Sequence, residues 1–115
     1  MSSIIYKIVP ATLWQDALNR GEFKGASIDL TDGYIHLSTA EQARGTAARY
    51  FAGQGGLLLV AVDAEKLGDK LIYEPSRGGD MFPHLYAPLS FDAVLWAKQL
   101  PLDADGTHVF PELGR

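Results

Sequence analysis

With 115 residues the chain has the length of one ordinary domain, and 47% hydrophobic against 21% charged residues supplies one core and too little charge for disorder. Fourteen acids against ten bases give a net charge of -4, which lacks the electrostatic footprint of a protein that neutralises phosphates, so nucleic-acid binding is disfavoured. The absence of cysteine excludes a disulfide framework, thiolate metal sites and a cysteine nucleophile, leaving histidine, carboxylate and hydroxyl chemistry.

The segment IIYKIV at 4–9 is rich in β-branched and aromatic residues and stops at Pro10, which has no N–H for a ladder, so a first strand is expected. Lys7 is out of place at its middle, because lysine is depleted from strands; the plain account is that it marks an exposed edge. Thr12 and Gln15 have a capping-box spacing, and Leu13, Ala17 and Leu18 follow on one side until Gly21. That pattern predicts a short amphipathic helix with Trp14 at its edge. Residues 22–30 hold no period and are expected to be loop, with at most a short strand. Thr31-Asp32-Gly33 is turn chemistry, and Tyr34-Ile35-His36-Leu37 reads as a brief strand. Ser38 with Glu41 is a second capping box, predicting a helix over 39–51 with Ala40, Ala43, Ala47, Tyr50 and Phe51 along one stripe.

Leu57-Leu58-Leu59-Val60-Ala61-Val62 is a continuous apolar run of strand length, expected to lie mid-sheet with both faces buried. Residues 63–67 have room for one helical turn, and 70–74 read as a strand ending at Pro75. Gly78, Gly79, Pro83 and Pro88 make 76–90 the longest expected irregular segment, of the kind that often carries function. A strand resumes over 91–97, and the tail is punctuated by Pro101, Gly106 and Pro111. The expected fold class is α+β, with roughly five to seven short strands and two main helices in a single domain over 1–115. The apolar runs fall far short of the roughly 20 residues that span a bilayer, and the amino terminus lacks a basic stretch followed by an apolar one. A soluble cytoplasmic protein without membrane contact is therefore expected.

His36 and His84 each have two readings. His36 points away from Ile35 and Leu37 and lies two residues before the expected cap, so the imidazole could share an anion with Ser38, Thr39 and the free amides of a helix start. Equally, it fits a half-buried histidine bonded to a carbonyl, with Ser38 only capping. His84, in Phe82-Pro83-His84-Leu85-Tyr86, sits in a stiff segment with stacking surface for a planar ring, or is solvated while Phe82, Leu85 and Tyr86 anchor a loop. His108 reads as a surface residue. Glu74, at a strand end, suits a general base or a ribose partner, or a surface pair with Arg77. No two histidines have ligand-pair spacing, so no metal is expected. No G-x-S-x-G elbow occurs, and Gly53, Gly55 and Gly56 precede a strand instead of a phosphate-binding helix.

The stretches IIYKIVP, TLWQDAL, DGYIHLSTAEQ, LLLVAVDAEKLGDKLIYEP and FPHLYAPL together resemble the small bacterial proteins of the domain of unknown function 952 family over nearly the whole chain. The resemblance implies an ADP-ribosyltransferase-like fold, a compact split β-sheet that binds NAD in the gap between its halves. By likeness to RNA 2′-phosphotransferases, it implies that His36 of IHLS lies in that cleft. The strand-one position that usually carries arginine or histidine falls at Tyr6 or Lys7, a departure, since lysine meets phosphate only as a point charge. Glu74 matches the late glutamate of such transferases by position only, while His84 and Tyr86 match the family's own segment.

The leading expectation is a cleft in which Lys7, His36, Ser38, Thr39 and Tyr86 bind NAD, ADP-ribose or a related small-molecule nucleotide. His36, His84 and Glu74 are its catalytic candidates if it performs ADP-ribosyl-type transfer. In that case Lys7 and the helix amides polarise the pyrophosphate, and His36 meets the nicotinamide ribose. The alternatives are a non-catalytic metabolite-binding module and an interaction protein docking through residues 82–86. RNA modification is least favoured, because Arg44 and Arg49 alone make no phosphate track on the second helix.

Overall fold

The computed structural model describes residues 3–114, the side chain of Arg77 excepted, so the surface pair of Glu74 with Arg77 lies outside the described residues. Strand β1 (Ile4–Pro10) runs directly into helix α1 (Ala11–Arg20). β1 pairs through Pro10 with Leu57, and the Ala11 N–H donates to Gly56 O at 2.9 Å. The helix therefore starts at once, leaving Thr12 inside its first turn instead of at the cap. Gly21 closes α1 in the left-handed region (φ 91°), its N–H donating to Ala17 O.

The expected loop at 22–30 is corrected by a short helix, α2 (Ser27–Asp32), closed by Gly33. Six residues are too few for a helical period to stand out, and only Asp29 among them is fully buried. β2 (Ile35–His36) and β3 (Ser38–Thr39) then flank Leu37 and belong to different sheets. Helix α3 (Ala40–Tyr50) starts one residue later than the Ser38 box predicts, because Ser38 and Thr39 remain extended against Tyr6 and Ile5 of β1. Its cap pairs Thr39 with Gln42, whose Oε1 accepts the Thr39 N–H at 3.0 Å.

Strand β4 (Leu57–Asp63) lies between β1 and β7 (Val94–Gln99) in an antiparallel sheet of order β3-β1-β4-β7. Its alternation explains the unbroken apolar run. Val60 and Val62 face a core with Ile5, Val9, Trp14, Phe23 and Leu85, whereas Leu57, Leu59 and Ala61 face Tyr6, Ala43, Ala47 and Leu100. Residues 91–93 form a 3-10 turn before β7, not the start of the strand.

The second sheet has the order β2-β6-β5, with β5 (Leu71–Pro75) and β6 (Met81–Leu85) antiparallel. The expected irregular segment at 76–90 thus contains the central strand of this sheet. Pro83 is tolerated there because Leu37 is its neighbour on the β2 side. Leu37 donates N–H to Pro83 O at 3.0 Å, and the return bond, for which Pro83 has no donor, falls where β2 ends and the chain crosses to β3. The protein is α+β, with seven strands in two antiparallel sheets and three α-helices among the described residues. His108 corrects its surface expectation: it is buried, and its Nε2 lies 2.8 Å from Gln54 O, tying the tail to the 53–56 turn. No helix among the described residues is long and apolar enough to cross a membrane.

Candidate functional site

The gap between the two sheets is a cavity of about 480 Å³. β1 contributes Tyr6, Lys7 and Ile8, α2 contributes Ile28 and Asp32, and β2 and β6 contribute His36, Phe82 and His84. The ladder between β2 and β6 sets His36 directly opposite His84, and their ring centroids are 5.6 Å apart. Tyr34, just before β2, fills the space beside both. It stacks on His84 at 4.1 Å and 24°, and lies 4.7 Å from His36 and 5.2 Å from Tyr86. The chain thus brings His36, His84 and Tyr86 around one aromatic ring that the sequence reading did not single out.

Lys7 is not an edge residue. It is 6% exposed, on a strand flanked by β3 and β4, and its Nζ lies 3.1 and 2.9 Å from the two oxygens of Asp29 and 3.0 Å from His36 O. Its ammonium protons are therefore spent inside the protein. Burial pulls the Lys7 ammonium below its ordinary value, against the opposing attraction of Asp29. Asp29 also accepts N–H bonds from Ala26 (2.8 Å) and His36 (3.0 Å), and its Oδ1 lies 2.6 Å from His36 Nδ1. Burial pushes its carboxyl up, but the His36 contacts and the Lys7 charge outweigh burial and hold it at about 2.

His36 Nε2 in turn lies 2.9 Å from Asp32 Oδ2. Both ring nitrogens face carboxylate oxygens, which only accept, so the imidazolium form is the one that donates to both. Asp29 and Asp32 are three residues apart on α2 and present the same side of the helix, as this spacing requires. Neither was a candidate from sequence, although that spacing was the available signal.

Gly25 is needed to seat Asp29. It has φ 124°, and a Cβ there would lie 2.7 Å from Asp29 Cβ. Gly25→Ala is expected to cost about 1–3 kcal/mol in backbone strain and to displace Asp29 from Lys7. Gly33→Ala, also at positive φ but with open space around it, should cost only about 1 kcal/mol, the penalty for leaving the right-handed regions. Urea midpoints of the two variants check this, and equal losses would refute the steric account.

On the other side of the cavity, Glu74 Oε1 lies 2.8 Å from His84 Nδ1 and accepts the Tyr86 hydroxyl at 2.6 Å. Tyr86 and His84 together hold the Glu74 carboxyl below its usual range, and the bond to Glu74 pushes Tyr86 up to about 12. Partial burial raises Tyr34, with the negative charges of Asp32 and Glu74 adding to it. His84 is 4% exposed. Among the described residues its Nε2 has no partner. Phe82 and Leu85 are buried too, which leaves Tyr86 as the exposed aromatic of residues 82–86.

Ser38 lines the cavity, but its Oγ is 3.0 Å from Thr46 Oγ1. Thr39 caps α3 and is not among the described cavity-lining residues, and its N–H is taken by Gln42 instead of being free for an anion. Among the described residues, no group of three or more histidines and carboxylates is arranged to hold a metal ion.

A family model described as "Protein of unknown function (DUF952)" matches residues 8–97. A crystal structure of protein CC0527 from Caulobacter crescentus is 50% identical, with 93% of this chain and 94% of that chain covered and a TM-score of 0.89. A solution NMR structure of CC0527 is 52% identical over 90% of this chain and 89% of that chain, with a TM-score of 0.81. None of the curated proteins compared with the chain matches it.

Proposed function

The chain belongs to the DUF952 family of proteins of unknown function, so its work has to be read from the cleft, and we propose that the cleft binds the nucleoside part of NAD, ADP-ribose or a related nucleotide. On this reading the split between the sheets is ADP-ribosyltransferase-like. The observation that carries it is the facing pair His36 and His84, bridged by Tyr34 in one cavity. At about 480 Å³ the cavity is the size of a small-molecule pocket. Tyr34, Phe82 and Ile28 give a flat ring apolar contact, while Asp32 beside His36 suits a ribose diol, since a carboxylate accepts from both hydroxyls.

Calorimetry with NAD, ADP-ribose and adenosine tests the reading. At least one should bind, and His36→Ala, His84→Ala and Tyr34→Ala should each weaken it about tenfold or more, roughly 1.4 kcal/mol, with circular dichroism unchanged. No heat with any of the three, or unchanged affinity in all three variants, overturns it. A second reading, a metabolite-binding module without catalysis, is favoured by the pairing of Lys7 with Asp29, which leaves that cation unavailable to polarise a pyrophosphate. Labelled NAD separates the two: a transferase releases nicotinamide, and a binding module leaves the NAD intact.

A further inference from the structure

The donors around the cavity are largely committed to one another. Both nitrogens of His36 face Asp29 and Asp32, Lys7 is held by Asp29 and His36 O, and the hydroxyls of Ser38 and Thr46 bond together. Lys7 is the sole lysine or arginine among the described residues that line the cavity. Of the side-chain nitrogens that line the cavity, the one without a partner among the described residues is the Nε2 of His84, on a ring that forms part of the wall.

Glu74 determines which atom that nitrogen presents. Its carboxylate accepts at Oε1 from Tyr86, so the facing Nδ1 of His84 must be the N–H. In the neutral ring Nε2 then carries a lone pair and accepts. Asp32 also lines the cavity, and Tyr34 is raised first by burial and further by the charges of Asp32 and Glu74.

We infer that the cleft selects ligands that bring an uncharged hydrogen-bond-donating group, an amide or amine, to His84 Nε2, and rejects analogues carrying a carboxylate there. The inference rests on the nucleoside-binding reading above and names its ligand class. A carboxylate at that place meets a lone pair on a ring held by the Glu74 carboxylate, with Lys7 already committed to Asp29, and such like-charge contacts discriminate strongly. A site built to accept from a donor loses that bond outright when the donor is absent.

Nicotinamide riboside and nicotinic acid riboside differ only in carboxamide against carboxylate, and calorimetry at neutral pH compares them. The amide is expected to bind at least about tenfold more tightly. Glu74→Ala frees the imidazole to present N–H at Nε2, and the preference should then shrink to about threefold or less; a purely structural role for Glu74 would weaken both ligands together and preserve the ratio. Equal affinity of the two ribosides, tighter binding of the acid, or a ratio untouched by Glu74→Ala overturns the selectivity. So does a failure of both ribosides to bind while NAD, ADP-ribose or adenosine does. A failure of both ribosides together with NAD, ADP-ribose and adenosine overturns the nucleoside reading itself.

Discussion

Asp29→Ala is expected to lower stability by about 3–5 kcal/mol, the range for removing one partner of a buried ion pair. The side chain of Lys7 is 7% exposed and that of Asp29 fully buried, so the variant leaves an ammonium in the core facing only His36 O. It also strips the acceptor from the N–H groups of Ala26 and His36 and from His36 Nδ1, and α2 loses its hold on β2. Urea unfolding measures the loss. Lys7→Met combined with Asp29→Leu should recover most of it, because the cost lies in the unpaired charge more than in the missing pair. A loss below about 1 kcal/mol would show the pair to be solvated, as surface pairs are.

The same carboxylate gives the fold an acid limit. Its folded value of about 2 lies below the ordinary 3.8. The depressed value therefore stabilises the fold above pH 4 and ceases to do so as pH falls through about 2. One unit is about 1.4 kcal/mol, so the contribution is on the order of 2 kcal/mol. Acid unfolding followed by fluorescence should show this step in the wild type and its absence in Asp29→Asn.

Leu59→Ala should cost about 2–5 kcal/mol, the range for emptying a fully buried leucine site. Leu59 is 0% exposed and packs with Tyr6, Ala43, Ala47 and Leu100 between β4 and α3. Leu95, on edge strand β7, is 49% exposed, and Leu95→Ala should cost under about 1 kcal/mol. Urea midpoints with unchanged slopes would report the difference, and equal losses would contradict the placement of β4 at the centre of the core.

Leu95 also sits in an unbroken apolar run, 93–97, and is exposed because β7 lies at the edge of its sheet, whereas the two buried faces of β4 were legible in its run of apolar residues. The α3 stripe was legible in part: Ala40, Ala43 and Ala47 are buried at helical spacing, whereas Tyr50, expected on the same stripe, is exposed. Residues 76–90 misled because glycine and proline report on local backbone freedom, whereas β6 is held by two partner strands that reach it from elsewhere in the chain. The α2 segment misled in the opposite way, its helix being pinned through one buried carboxylate rather than an apolar face.

At the site, the sequence singled out His36, His84, Glu74, Tyr86, Lys7 and Ser38, together with Thr39, which is not among the described cavity-lining residues, and it missed Tyr34, Asp29 and Asp32. Strand and helix periods come from the repeat of the backbone itself, so the sequence alone determined the α+β class, the central β4, the helix α3 without its cap pair, and the placing of His36 on the strand face opposite Ile35 and Leu37. Partnership is different. Lys7 meets Asp29 across 22 residues and His84 meets Glu74 across 10, and no local period encodes which distant charge will arrive. The tertiary structure alone decided that Lys7 is buried and matched, that His36 is held between two carboxylates, and that His84 turns Nδ1 to Glu74 and leaves Nε2 without a partner among the described residues. Burial in a medium of low dielectric makes an unpaired charge too costly to persist, so each ionisable group had to settle against whatever the fold brought beside it.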